Sequence, residues 1–351
     1  MSILRPLLIR ALTMIGVFFV VLLLLVLTLG LTGFSDRILS AVVGEQLRAE
    51  RTALAEKIRD PDALEKTLTE RRKEFEAFYG LDTPWYLRLP GTVLRVLTLD
   101  LGEARNLRSF DGSNRVIDIV LERLPNTMLL LTTSLIITAV LGLGLGVYMA
   151  TRAGTWLDRA MSIFAAVSYA IPTWWIGILL ILLLSVRWRL LPSGGMYSTP
   201  PPIDSVPRFL DLLQHALLPV LTLVLVSVGP YIYAVRTITL NIAQEDYVTM
   251  ARAKGLPASR VRNRHILRVA APPLVTGLIL GLAGSLSGSI LVETIYNWQG
   301  MGRLYYDALA GTPDEGVIVA LTFMFTLLYV GVRMLLEVLY IFLDPRVRYS
   351  D

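Results

Sequence analysis

The chain has 351 residues, of which 54% are hydrophobic and 17% charged, and its formal net charge is +5. This apolar fraction, with a mean hydropathy of +0.60, exceeds that of a water-soluble domain and is typical of helices inside a bilayer. The absence of cysteine excludes disulfides and thiolate chemistry, and two distant histidines, His215 and His265, argue against a metal site. The positive excess is what the cytoplasmic loops of a membrane protein carry, so it does not indicate a nucleic-acid partner.

Six apolar stretches of membrane length predict six transmembrane helices. They lie near residues 9–31, 127–150, 160–186, 214–238, 270–296 and 316–343. Each is long enough to cross the hydrocarbon core of a bilayer, which takes about 20 residues. The first stretch follows Arg5 and Arg10 and precedes no A-x-A cleavage site, so we expect it to be retained rather than removed as a signal peptide.

Basic residues concentrate on one side of these predicted spans. They are Arg152 and Arg159 after the second span, Arg252, Lys254, Arg260, Arg262, Arg264 and Arg268 after the fourth, and Arg346 and Arg348 at the C-terminus. The positive-inside rule makes this side cytoplasmic and places both termini on it. The loop at 187–213 is a weaker contrary signal, because it carries three arginines on the opposite side.

The spans divide the chain into four predicted regions. Residues 1–31 form an N-terminal transmembrane helix, residues 32–126 an extended extracytoplasmic first loop, residues 127–343 a five-helix core that includes a cytoplasmic loop at 241–268, and residues 344–351 a cytoplasmic tail. Acidic and basic neighbours at helical spacing predict one or two solvated helices in the first loop. This loop is either a soluble cap without chemistry or a contact for a substrate-delivery protein.

No energy-converting or catalytic motif accompanies the spans. A P-loop needs Gly-Lys followed by Ser or Thr to hold phosphates, and none of the four lysines, Lys57, Lys66, Lys73 and Lys254, follows a glycine. Neither a Ser–His–Asp arrangement nor a pair of carboxylates stands out. We therefore expect no catalytic residue, no metal and no cofactor bound by this chain.

The cytoplasmic loop carries the most informative local pattern. Residues 244–257 predict a short helix with Asp246 as its N-cap, Gly255 as a left-handed stop and Pro257 as a barrier to continuation. A second short helix is expected from Ser259 to Arg268. From spacing alone, the loop is either a docking element with a small-residue face or an ordinary positive-inside loop.

The expected second helix has a predicted boundary with the next span. Pro272 and Pro273 follow it directly, and proline disfavours a helical interior. We expect these two residues to open the fifth span.

The same loop resembles the EAA loop of bacterial ABC-importer permeases. The resemblance extends to the dipeptide/oligopeptide branch of these permeases and points to the first of its two permease subunits. The matching segments are Asp246-Tyr247-Val248, Ala251-Arg252-Ala253-Lys254-Gly255-Leu256, Tyr79-Gly80-Leu81-Asp82-Thr83-Pro84-Trp85, Glu122-Arg123-Leu124-Pro125-Asn126-Thr127, Ile171-Pro172-Thr173-Trp174, Leu191-Pro192-Ser193-Gly194-Gly195, Val292-Glu293-Thr294-Ile295-Tyr296 and Gly300-Met301-Gly302-Arg303-Leu304. Only the stretch near 35–75 falls outside the resemblance.

The resemblance implies the rest of a transport system. It implies an all-α membrane protein of type I importer permease fold, located in a bacterial or archaeal cytoplasmic membrane and paired with a second homologous permease. Two cytoplasmic P-loop ATPase subunits would carry ATP and Mg, and an extracytoplasmic binding protein would deliver di- or oligopeptides. Nickel complexes or oligosaccharides are the alternative cargo within the same importer type. The residues implied for ATPase coupling are Asp246, Tyr247, Ala251, Arg252, Ala253, Lys254, Gly255 and Leu256.

Three charged residues near span ends are candidates for a pathway or receptor contact. Arg333 and Glu337 are four residues apart, so they share a helix face and form either a structural ion pair or a gating pair. Glu293 at the outer end of the fifth span is either a solvated end-of-helix carboxylate or a contact for a cationic substrate end or the binding protein.

Of three rival functions, the first two need features that the sequence does not display. An ion-driven secondary transporter needs acidic residues at mid-membrane and, commonly, repeat symmetry. A membrane-embedded enzyme needs convergent polar residues within the spans. A receptor or scaffold without transport would be distinguished by uptake in a deletion strain.

Overall fold

The structure of the protein is a computed structural model that describes residues 4–31, 33–55, 58–87, 91, 94, 98, 100–104, 106–310 and 313–343. Some side chains inside helices lie outside this description, among them those of residues 282–288 and of Glu337. The predicted tail at 344–351 lies outside the described residues.

Helices make up nearly all of the regular structure. They are α1 (Leu4–Leu31), α2 (Phe34–Ala55), α3 (Pro61–Phe78), α4 (Val116–Ala150), α5 (Trp156–Ala170), α6 (Thr173–Leu180), α7 (Ser205–Ala243), α8 (Asp246–Ala253), α9 (Arg268–Ile295), α10 (Met301–Leu309) and α11 (Glu315–Leu343). Two π-helical segments, Ile181–Arg187 and Val261–Leu267, continue α6 and precede α9. Within the described residues the only extended pairing is a single bridge between Glu103 and Arg115. The all-α prediction is confirmed.

Among the residues that the structure describes, three helices are long and apolar enough to cross a membrane: Val116–Ala150, Ser205–Ala243 and the part of α11 from Gly316 to Leu336. A fourth crossing is available if α5 and the helix from Thr173 to Arg187 count together, although the chain bends by 103° between them. The bend has a local cause, because Pro172 holds Ile171 in an extended conformation with ψ 129°. The count of six spans stays a prediction.

The described chain forms two compact units. Among the described residues, one unit contains 121–306 with 4–11 and 327–343, and the other contains those of 12–120 with those of 307–326. The predicted functional division at 31/32, 126/127 and 343/344 follows different boundaries and stays a prediction.

Close helix contacts hold the first unit together. A Cβ atom on Gly229 of α7 would lie 2.8 Å from Ser168 Cβ and 2.9 Å from Ala165 Cα on α5. Gly146 of α4 has a similar contact with Val235, where a Cβ atom would lie 2.6 Å from the valine Cβ. Small residues at such crossings let helix backbones approach closely, which favours helix association in membranes.

The second unit contains a hairpin of α2 and α3, so the first loop, with one or two predicted helices, has two. Leu39, Val43 and Leu68 are its buried apolar residues. Gln46 Nε2 donates to Tyr79 Oη at 2.7 Å. Its ion pairs, such as Arg71 with Glu74 and Arg72 with Glu76, lie on exposed surface, where each contributes little free energy of folding.

Candidate functional site

The helix of the cytoplasmic loop begins one residue earlier than the sequence pattern indicates. Glu245 occupies the N-cap position, and its side chain makes no capping hydrogen bond. Its carbonyl oxygen instead accepts from Val248 N at 3.0 Å and Thr249 N at 3.2 Å. The prediction of Asp246 as the N-cap is therefore wrong: Asp246 is the first helical residue, where its charge still faces the positive end of the helix.

The end of α8 is as predicted. Gly255 has φ +73°, a conformation that costs other residues energy because their Cβ crowds the following carbonyl. Gly255 N donates to Arg252 O at 2.9 Å, and Leu256 N donates to Ala251 O at 3.4 Å. This pattern closes the helix with a left-handed glycine.

From Ala258 the chain runs into the next long helix without interruption. A short turn at Ala258–Arg260 leads through the π-helical segment Val261–Leu267 directly into α9. Pro272 and Pro273 lie inside α9, so the prediction that they open the span is wrong. The wider π-helical turns immediately before them give the helix room for residues that lack an N–H donor.

One face of α8 is buried and the other is exposed. Val248 and Ala251 pack against Val261 and Ile266 in an apolar cluster. Leu256 is half-buried beside them. Two of the eight predicted coupling residues, Ala251 and Leu256, therefore hold the loop together rather than offering a surface.

The other six predicted residues are exposed, four on α8 and two directly after its C-terminal end. They are Asp246, Tyr247, Arg252, Ala253, Lys254 and Gly255. Partial burial, followed by the nearby Glu245 carboxylate, raises the pKa of the Tyr247 hydroxyl, which therefore stays a neutral donor near neutral pH. The sequence analysis missed Met250, which is 59% exposed and lies three residues after Tyr247 on the same helix side. A large apolar residue at this spacing in a charged loop is the signal that could have identified it.

An ion pair near this loop also escaped the sequence analysis. Arg236 Nη2 on α7 donates to Asp158 Oδ2 at 2.7 Å, and Arg236 Nε donates to the other carboxylate oxygen. Gly154 N adds a hydrogen bond of 2.9 Å to Asp158 Oδ2, and Asp158 is 3% exposed. The residues of the ion pair are 78 positions apart, so no local sequence pattern predicts the contact. It links the first turn of α5 to α7, the helix that leads into α8.

Glu293 lies in a different kind of environment, since its side chain has 0% exposure. Thr127 Oγ1 donates to Glu293 Oε1 at 2.9 Å, and Arg303 N donates to Oε2 at 3.0 Å. The carboxylate therefore caps the N-terminus of α10, where negative charge is favourable. Its interpretation as a solvated end-of-helix group is wrong, and in this arrangement it has no surface for a substrate or a receptor.

Several motifs singled out in the sequence converge around Glu293. Trp298 Nε1 donates to Asn126 O at 3.0 Å. Gly195 N donates to Tyr296 O at 2.7 Å, and a Cβ atom on Gly194 would lie 2.6 Å from that same oxygen. Distant segments thus meet in one densely bonded cluster, which we call the Glu293 cluster (Asn126, Thr127, Gly194, Gly195 and 293–303).

The two remaining candidates lie on α11. Arg333 is exposed, its Nε donates to Tyr329 Oη at 3.2 Å, and its guanidinium carbon lies 5.8 Å from the Tyr329 ring centre. The Glu337 side chain lies outside the described part of the chain. The predicted Arg333–Glu337 pair stays a prediction.

A cavity of about 370 Å³ lies between α4, α7 and α9. Its lining includes Ser134 and Thr138 of α4, Ser227 and Tyr231 of α7, and Leu274 and Gly277 of α9. Tyr231 Oη donates to Leu274 O over 3.4 Å and so links two of the walls. Two of the cavity helices, α7 and α9, are those that flank α8 along the chain.

Long apolar helices around a cavity, joined to a helical loop with one exposed face, are the architecture of a helical membrane protein. Residues 142–349 match the family described as the inner membrane component of binding-protein-dependent transport systems. The chain belongs to this family.

Individual relatives match over most of the chain. The oligopeptide transport system permease protein AppB of Bacillus subtilis (strain 168) is 30% identical over 79% of this chain and 85% of its own length. The dipeptide transport system permease protein DppB of Escherichia coli (strain K12) is 31% identical over 80% and 86%. A probable peptide ABC transporter permease protein, y4tP, of Sinorhizobium fredii is 32% identical over 83% and 88%. The chain is thus a transport subunit and not an enzyme.

Proposed function

We propose that this chain is one of two permease subunits of an ATP-driven importer that carries di- or oligopeptides across a bacterial or archaeal cytoplasmic membrane. The observation that carries the proposal is the similarity, over about four-fifths of the chain, to permeases named for oligopeptide and dipeptide transport. Both termini would lie in the cytoplasm, as the distribution of basic residues indicates.

The partners follow from the same importer type. A second homologous permease completes the pathway, and an extracytoplasmic binding protein delivers the peptide. Two cytoplasmic ATPase subunits bind ATP and Mg. The exposed face of α8 would dock one ATPase. This assignment is supported by the division of α8 into a buried seam and an exposed face, because a docking helix needs a firm attachment on one side and free surface on the other.

The connections of α8 suggest how movement reaches the pathway. The helix follows α7 through a short turn at Gln244 and Glu245 and is joined to α9 by the continuous segment 258–267. A displacement of α8 by a closing ATPase would therefore act on two of the three helices that line the cavity. Rigid-body movement of these helices would expose the cavity alternately to the two sides of the membrane.

Purification of the tagged chain from its native membrane in mild detergent tests this function. We expect a second permease, P-loop ATPase subunits and a binding protein to copurify, with vanadate-sensitive ATP hydrolysis. Proteoliposomes containing the complex should take up labelled dialanine in an ATP-dependent manner. Recovery of the chain without an ATPase would contradict the importer, whereas ATP-dependent uptake of a nickel complex or maltotriose without any peptide uptake would contradict only the cargo.

A further inference from the structure

The cavity between α4, α7 and α9 combines apolar walls with hydroxyl groups. Leu131, Leu223 and Leu274 supply apolar surface, one from each helix. Ser134 Oγ donates to Leu131 O at 3.0 Å, while Ser227 is exposed at the cavity. Mostly apolar lining with a few placed polar groups is the usual character of a small-molecule site.

Thr138 provides evidence for a ligand that does not depend on the shape of the cavity. It is 4% exposed, it lines the cavity, and its Oγ1 has no hydrogen-bond partner within the described part of the chain. Buried hydroxyl groups nearly always have a partner, because leaving one unpaired is costly. Because the Oγ1 atom itself is buried, a group that enters the cavity with a donor or acceptor would satisfy this hydroxyl once the Thr138 side chain turns toward it.

The glycines of α9 keep the cavity open rather than bringing helices together. A Cβ atom on Gly277 or Gly281 would meet nothing within 4 Å. By contrast, a Cβ atom on Gly229 would lie 2.8 Å from a Ser168 atom in a close helix contact. Gly277 and Gly281 therefore border empty space, whereas Gly229 lies at a close helix contact within the same unit.

The size of the cavity limits what it accepts. Small-molecule pockets are commonly about 300–1,000 Å³, and this cavity of about 370 Å³ is near the lower end. It has room for one or two side chains of a peptide but not for a folded segment. Leucine walls fit an apolar side chain, and hydroxyls at Thr138 and Ser227 fit the polar peptide groups beside it.

We propose that this cavity is a side-chain subsite on the peptide's route, so that the permease itself discriminates among peptides by the bulk of an apolar side chain. This inference rests on the proposed function, because it concerns the cargo of the same pathway. Selection would then occur twice, first by the binding protein and again within the membrane.

The substitution Gly277→Leu tests the subsite by filling it. Reconstituted importer with its normal partners would be assayed for uptake of labelled dialanine and diphenylalanine. We expect diphenylalanine uptake to fall about tenfold, an effect of the size expected for steric discrimination in an apolar pocket, while dialanine uptake changes by less than about twofold. The binding protein is the same in every assay, so its own selectivity cancels in the ratio of variant to wild type.

Gly144→Leu is the matched control. Gly144 lies on α4, is exposed, and would meet nothing within 4 Å of an added Cβ atom, but it does not line the cavity. The control should leave the diphenylalanine-to-dialanine ratio unchanged. An unchanged ratio in Gly277→Leu would overturn the subsite. Loss of lipid from that variant with an unchanged ratio would assign the cavity to an acyl chain and overturn it as well.

Thr138→Val provides a second test, in which transport should fall while stability does not. The substitution keeps the shape of the side chain and removes its unpaired hydroxyl, so the apparent Tm should stay the same or rise. Uptake of both dipeptides should nevertheless fall about fivefold, the effect expected for one lost hydrogen bond. Unchanged uptake would show that the hydroxyl does not meet the cargo and would contradict the proposal.

Failure of the inference is distinguishable from failure of the proposed function. If wild-type importer takes up neither dipeptide, the proposed cargo is wrong and the inference fails with it. If wild type takes up both peptides and the variants show no selective change, only the subsite is wrong.

Discussion

The Glu293 cluster and the α8 loop look alike in sequence and differ in structure. Both combine charged residues with glycine next to a predicted span, and both resemble motifs of the same permease family. In the structure the Glu293 carboxylate has 0% exposure, whereas six of the eight residues predicted for coupling are exposed on α8 and its C-terminus. The comparison teaches that a matching motif identifies a position in the fold. The burial of that position then decides whether its side chain stabilises the fold or is available to contact a partner.

The largest effect should come from removing the buried carboxylate. Glu293→Ala leaves Thr127 Oγ1 and Arg303 N without their acceptor in a fully buried site. Each unsatisfied buried group costs about 1–3 kcal/mol, so we expect a loss of about 3 kcal/mol or more and little folded protein after purification. Thermal unfolding in detergent measures the effect.

Glu245→Ala is the control for that prediction. Glu245 is exposed and its side chain makes no capping hydrogen bond, so its removal should leave the Tm unchanged. If Glu293→Ala unfolds at the wild-type temperature, the contrast between the two regions is wrong.

The next effect should come from the ion pair that fastens α7. Asp158→Ala leaves the Arg236 guanidinium, which has 19% exposure, without its carboxylate, and breaking a buried pair typically costs about 3–5 kcal/mol. Partial exposure of the arginine puts the expected loss at the lower end of that range, about 3 kcal/mol or somewhat less. The double variant Asp158→Ala/Arg236→Met should recover part of the loss, because it also removes the unpaired charge. No recovery in the double variant would show that the two residues do not act as a pair.

Gly255→Asp should affect transport more than stability. A side chain at φ +73° is strained, at a cost of about 1–2 kcal/mol, and here it also adds a negative charge to the exposed face proposed to dock the ATPase. We expect peptide uptake to fall about tenfold, equivalent to about 1.4 kcal/mol, with the complex still folded. Gly255→Asn is the matched control, since asparagine tolerates this conformation without the charge. Equal uptake by Gly255→Asp and wild type would contradict the docking role.

The smallest effect is expected at Met250. The side chain is 59% exposed, so Met250→Ser should leave the free energy of unfolding within about 0.5 kcal/mol of the wild-type value. If the exposed face docks an ATPase, loss of this apolar contact should lower ATPase copurification about threefold, since interface contacts outside hot spots contribute modestly. A Tm shift without any change in copurification would place Met250 in the fold rather than in the interface.

Local chemistry explains which features the sequence could predict. Gly255 followed by Pro257 predicts a helix that ends at a left-handed glycine, and Gly255 has that conformation. Hydropathy identifies α4, α7 and the apolar part of α11 as long enough to cross a membrane. The errors at Asp246 and at Pro272 and Pro273 concern helix boundaries, which depend on backbone hydrogen bonds and π-helical turns rather than on residue type alone.

Long-range packing explains what the sequence could not predict. Glu293 is buried because Thr127, 166 residues away, and the start of α10 close around it. The Asp158–Arg236 pair and the orphan hydroxyl of Thr138 likewise depend on which helices adjoin. Nothing within a local window distinguishes a carboxylate that reaches water from one that caps a distant helix.

The bend between α5 and α6 has a consequence for how this chain meets the bilayer. At about 1.5 Å per residue, neither α5 nor the helix from Thr173 to Arg187 reaches the roughly 30 Å thickness of the hydrocarbon core. Because the chain turns by 103° between them, the two cannot both stand along the membrane normal, and when one does the other runs close to the membrane plane. Trp174 and Trp175 are partly exposed at the start of the second helix, and indole rings prefer the boundary between headgroups and acyl chains. We therefore expect the start of the second helix at the boundary between headgroups and acyl chains.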